Sequence, residues 1–149
     1  MGAWGSGVFE NDTALDWIAG LKPPKKKLFG LFNKTDPTEY PTEAIQLVLN
    51  ADFIGSSTCE EGLAAAECFA ALGGHPAPNL PDEIRDWVST VKGLPTDEDF
   101  NQWAAEAVWR IQDAEESELR QLWVESSEDG KPDPQWYASL DDLAKRLTS

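Results

Sequence analysis

The sequence predicts an all-α fold of about seven short helices in a single compact domain. Three observations carry that expectation. Apolar residues recur at intervals of three and four between glycine, proline and capping signals. No segment sustains the alternation of β-branched residues that a half-buried strand needs. Hydrophobic residues make up 41% of the 149-residue chain and include seven Trp, six Phe and two Tyr, which suffices for a core and is too many for a solvated polymer. The length fits one domain, residues 1–149.

Each element has its own signal. Residues 1–10 hold three glycines and no helical period, so they read as an irregular lead-in with Trp4, Val8 and Phe9 against the body. Asn11 or Asp12 caps a first helix running toward Leu21, with Leu15, Ile18 and either Ala14 or Trp17 inward; Gly20 and Pro23-Pro24 end it. Residues 22–41, with four prolines and five lysines, form an irregular insertion whose Leu28, Phe29, Leu31 and Phe32 dock on the body. Thr42 opens a helix to about Ala51, with Ile45, Val48, Leu49 and Phe53 at helical spacing. Gly55-Ser56-Ser57 breaks it, and Thr58 with Glu61 forms a capping box for the next helix. That helix carries five alanines and stops at Gly73-Gly74, so it is expected to be central and closely approached.

Four helices follow. Pro81 opens one to residue 92, presenting Ile84, Trp87, Val88 and Val91. Thr96 and Asp99 cap another to about Asp113, whose inner face is Phe100, Trp103, Ala104, Ala107, Val108 and Ile111. Glu116–Glu125 carries Leu119, Leu122 and Trp123. Asp133 and Pro134 start the last, lined by Trp136, Leu140, Leu143 and Leu147.

The charge balance narrows the partners. The chain has 27 acids against 12 bases, a formal charge of −15. Residues 1–40 hold five of each, so the whole excess lies after residue 40. Such a field repels nucleic acid and anionic membranes and attracts basic proteins; its plain alternative is solubility. No run is long and apolar enough for a transmembrane helix, and no signal peptide is expected. A cytoplasmic protein follows, monomeric or weakly dimeric.

Candidate chemistry is sparse. Cys59 and Cys68 are nine residues apart on one helix, on opposite sides, and cannot bridge each other. Cys59 sits in the first turn, where the helix dipole lowers a thiol pKa. Two Cys and one His, His75 in a loop, leave no ligand set, so neither metal nor cofactor is expected. Glu67 falls among alanines and needs a donor such as an indole N–H or Arg if buried. Trp109 lies opposite Phe100 on its helix: either both faces are buried, the reading preferred here, or Trp109 is an exposed anchor. Asp113, Glu115, Glu116, Glu118, Glu125 and Glu128 form an acidic run with only Arg120 against it. Glu118 and Glu125, seven apart, share a face away from Leu119, Leu122 and Trp123.

The opening MGAWGSGVFENDTALDW, Met1 to Trp17, resembles a small bacterial family classed only as a domain of unknown function, numbered four-two-five-nine. The similarity continues through the alanine-rich helix GLAAAECFAALGGHP, through ESELRQLWVES, and through Trp136, Leu140, Leu143 and Leu147. Residues 23–41 depart from it as an insertion. The resemblance implies a bacterial, cytosolic, helical protein. It supplies no catalytic residues. It makes Glu10, Asn11, Asp12 and Asp16 the polar signature, expected to be structural.

Two functional classes result. One is a non-enzymatic acidic interaction protein, an immunity-protein or antitoxin-type inhibitor of a basic partner such as a toxin, binding through the acidic run and Trp109. The other is a small-molecule binder or hydrolase-like enzyme using Glu10, Asp12, Asp16 and Glu67. Convergence of those four acids in one pocket would mark the second.

Overall fold

A computed structural model describes residues 5–21, 37–92 and 99–149. Seven helices follow one another: α1 Asp12–Ala19, α2 Glu39–Asn50, α3 Ser56–Leu72, α4 Asp82–Val91, α5 Phe100–Asp113, α6 Glu118–Glu125 and α7 Pro134–Leu147. Among the described residues there is no sheet; Ile54 and Ser117 form an isolated parallel bridge.

The alanines explain the layout. α3 is buried without interruption from Gly62 to Ala71, and it packs against each of the other six helices. A helix that is apolar all round belongs inside, and small side chains let neighbours come close. Gly62 is the tightest point: any Cβ there would collide with Val48 of α2. Phe69, Trp87 and Phe100 fill the space on the α4 and α5 side, with ring centroids 6.2 Å (Phe69–Trp87) and 5.0 Å (Phe69–Phe100) apart. The Trp87 indole N–H donates to the Pro37 carbonyl at 2.8 Å, which satisfies its one polar group.

Helix ends are completed by local caps and, at α2, from across the fold. Asn11 caps α1, its Oδ1 accepting from the Ala14 N–H at 2.7 Å. The Asp133 carboxylate accepts from Gln135 and Trp136 N–H at 2.9 and 3.1 Å and caps α7. α2 has no basic residue in its last turn. Arg110 of α5 supplies one, donating to the Val48 and Ala51 carbonyls, the latter at 2.6 Å.

The structure corrects some details of the sequence reading. Leu15 is 40% exposed, and both Ala14 and Trp17 turn inward with Ile18. Phe53 is 54% exposed, because the helix ends at Asn50 and its period no longer governs the chain. α2 starts at Glu39, so the last three residues of the expected 22–41 insertion are helical; Pro41 fits the first turn, where its missing N–H has no partner to lose. Thr58 and Glu61 make no capping box: α3 starts three residues earlier, at Ser56, and Gly55 caps it without a side chain. Trp4, Leu28, Phe29, Leu31, Phe32 and Thr96 lie outside the described residues.

Candidate functional site

The acidic run occupies the end of α5, the turn after it, α6 and the residues beyond. Ile54 fixes its start: the Ile54 N–H donates to the Glu116 carbonyl and the Glu118 N–H to the Ile54 carbonyl, both at 2.9 Å. The turn therefore sits against the start of α3 with its geometry set by backbone bonds.

The six acids of the run have different duties. Glu115, Glu116, Glu125 and Glu128 are exposed, and their carboxylates make no hydrogen bond or ion pair among the described residues. Glu118 is half-buried, and its Oε1 accepts from the Ser56 N–H at 2.7 Å. It is thus the carboxylate at the N-terminus of α3, the cap that Gly55 lacks. Of the two acids expected to share a face of α6, Glu118 is thus engaged by α3 and Glu125 is exposed. Asp113 is exposed but accepts from the Tyr137 hydroxyl at 2.7 Å. That bond, more than desolvation, holds the Tyr137 phenol above its ordinary value.

Trp109 lies one turn before Asp113 on α5 and is 42% exposed, so the expected burial of both faces of this helix is corrected. The inner face is filled by Ala104, Ala105, Ala107, Val108, Ile111 and Gln112. Gln112 is the polar member of that face. Its amide donates to the Tyr137 carbonyl at 3.1 Å and to Asp141 Oδ1 at 2.8 Å, and so fastens α5 to α7. Tyr137, Asp141 and Gln112 were absent from the sequence-derived candidates. A helical wheel could have found Gln112, four residues after Val108, whereas the partners on α7 have no local signal.

The four acids of the second functional class do not come together in one site. Glu10 accepts from the Gly7 N–H at 3.0 Å, and Gly5 and Gly7 leave the space its carboxylate fills. Asp12 and Asp16 are exposed on α1, and the helix cap is Asn11, not Asp12. Glu67 is only 3% exposed, and Arg146 of α7 donates to both its oxygens, at 2.7 and 2.9 Å. Arg146 also donates to Asp142 at 2.8 Å and to the His75 carbonyl at 3.2 Å. These carboxylates favour its protonated form, with Glu67 the larger influence, and raise its pKa against the opposing effect of burial. Glu67 thereby ties α3 to α7.

Cavities give the same picture. One of about 20 Å³ under Gly5–Val8 is lined by Asn11, Glu60, Leu63, Leu119, Trp123, Trp136 and Leu140, room for about one water. An open hollow of about 560 Å³ is lined by Thr38, Glu39, Thr42, Glu43, Gln46 and Phe100, and none of the four acids reaches it. Among the described residues, no cluster of His, Cys, Asp or Glu could hold a metal ion, and no helix is long and apolar enough to cross a membrane. Both cysteines are free and buried. Burial pushes the Cys59 thiol up, against hydrogen bonds from Leu119 and Ser117 that favour the thiolate, so the expected lowering by the helix dipole is corrected.

No curated protein and no solved structure matches the chain. A family model, the domain of unknown function DUF4259, matches residues 2–139, from the glycine-rich lead-in to the first turns of α7. Leu140, Leu143 and Leu147 lie beyond that match, and so do Arg146 and its bond to Glu67. With nearly its whole length under one model, from the Glu10 turn through the acidic run, the chain belongs to the DUF4259 family.

Proposed function

We propose that this chain is a non-enzymatic interaction protein of the immunity-protein or antitoxin kind, which binds and neutralises a basic protein partner such as a toxin in the bacterial cytoplasm. One observation carries the reading. Glu115, Glu116, Glu125 and Glu128 are exposed and unpaired among the described residues, and Trp109 stands exposed at the near end of the same stretch. Unpaired carboxylates on a surface of uncompensated charge speed the approach of a cationic partner, and an exposed indole supplies an apolar anchor for the docked state. The competing assignment, an enzyme or small-molecule binder using Glu10, Asp12, Asp16 and Glu67, has less support. Glu10 and Glu67 are engaged by Gly7 and Arg146, and Asp12 and Asp16 face solvent. The two free thiols suit a reducing compartment. The protein acts as a monomer or weak dimer.

The test is co-expression with the product of the adjacent reading frame, co-purification, and association kinetics at low and physiological ionic strength. The expected result is a complex whose on-rate falls with salt and with Glu125→Lys and Glu128→Lys, the fold being unchanged. A tight complex with an on-rate indifferent to both would refute binding through this surface.

A further inference from the structure

We propose that the outer face of α5, formed by Glu106, Trp109 and Asp113, receives an arginine side chain of the basic partner, the guanidinium lying on the indole and bonding to the flanking carboxylates. The inference rests on the reading above and names the chemistry of one contact within it.

The helix places these side chains together. At 100° per residue, Glu106, Trp109 and Asp113 fall within an arc of about 60°, with acids three residues before and four after the indole. Side chains on a helix lean toward its N-terminus, so Asp113 leans over the turn that carries Trp109. The Tyr137 hydroxyl occupies Asp113 Oδ1 and leaves Oδ2 open. The Gln102 amide donates to Glu106 Oε1 at 3.2 Å and leaves its second oxygen open.

No cation of the described residues already fills the place. Among the described residues the Trp109 ring has no aromatic or cationic partner. Arg110, next in sequence, is turned to the Val48 and Ala51 carbonyls at the end of α2. An exposed indole between two carboxylates suits a cation with an apolar, planar face. Guanidinium meets that description better than ammonium, because it is weakly hydrated, stacks on aromatic rings and offers several donors in one plane.

The probe is a capped Arg-Gly-Arg-Gly-Arg peptide, titrated into the full chain at low ionic strength and followed by indole and amide ¹H–¹⁵N resonances, with a Lys-Gly-Lys-Gly-Lys peptide as control. The indole signal of Trp109 is assigned from Trp109→Phe. The expected result is a saturable shift of that signal, stronger binding of the arginine peptide than of the lysine peptide at equal charge, and about 2–5-fold weaker binding in Trp109→Ala. Asp113→Asn and Glu106→Gln, which leave the indole in place, should weaken binding while the remaining spectrum stays that of the folded protein. Shifts confined to Glu115, Glu116, Glu125 and Glu128, or equal affinity for the two peptides, would overturn the arginine contact and leave the acidic surface standing. No shift anywhere would overturn both.

Discussion

Glu118 separates the part of the acidic run that folds the protein from the part that is free to meet a partner. Its carboxylate is 2.7 Å from the Ser56 N–H, at the start of a helix whose own cap residue, Gly55, has no side chain to offer. Glu118→Ala removes this acceptor and a negative charge from the positive end of α3. Cap loss is worth about 0.5–2 kcal/mol, and a charge at a helix end about 0.3–1 kcal/mol. The two overlap in one bond, so about 1–2 kcal/mol is expected, which lowers the melting temperature of a domain this size by roughly 3–6 °C. Glu118→Gln keeps an acceptor and should lose about half of that. Glu125→Lys is the control at equal change of net charge to Glu118→Lys: it puts a cation in the last turn of α6, where the helix dipole favours it, and should leave stability unchanged or slightly raised. Urea unfolding followed by circular dichroism, with constant slope, measures each difference. Wild-type stability in Glu118→Ala, or equal losses in Glu118→Lys and Glu125→Lys, would show that the cap is not what Glu118 contributes.

Three further outcomes are expected. Arg146→Met strands the buried Glu67 carboxylate and should cost about 3–5 kcal/mol, while Glu67→Met with Arg146→Met should recover most of it; a double variant as unstable as the single one in urea would refute the coupling. Asn11→Ala removes the α1 cap together with the Asn11 amide bond to the Val8 carbonyl and should cost about 1–2 kcal/mol, whereas Asp12→Ala should shift thermal unfolding by only a few tenths of that; the reverse order would reassign the cap. Desolvation pushes the Glu60 carboxyl up despite the Thr13 bond that favours its ionised form, so the folded state holds this proton to higher pH than the unfolded chain, and ionisation lowers stability as pH rises. Glu60→Gln should therefore raise the unfolding midpoint at neutral pH, with a gain that shrinks on acidification through the carboxylate range; a gain that grows on acidification would be contrary.

The helices and most of their ends were determined by local chemistry, which a linear sequence displays. Gly20, Gly73-Gly74, Asp133 and Pro134 act on neighbours within a turn, and the alanines of α3 announce a crowded helix because small side chains serve close packing wherever the neighbours come from. The same held for the free cysteines, whose spacing on one helix is a matter of geometry. Other features were decided only by tertiary contacts. The start of α3 depends on Glu118, 62 residues away, so the Ser-Thr-Glu pattern near it pointed to a capping box that does not form. Glu67 looked like a residue in need of a donor, but its identity, Arg146, lies 79 residues on. Leu15 and Phe53 have the composition of core residues and are left exposed, since an apolar period shows that a face exists and cannot show how far the neighbouring helices cover it. The acidic run was visible as a sum of charges. Which of its members stay unpaired depended on where Ser56 and Tyr137 come to rest, because a hydrogen bond is decided over about 3 Å in space and leaves no trace in residue order.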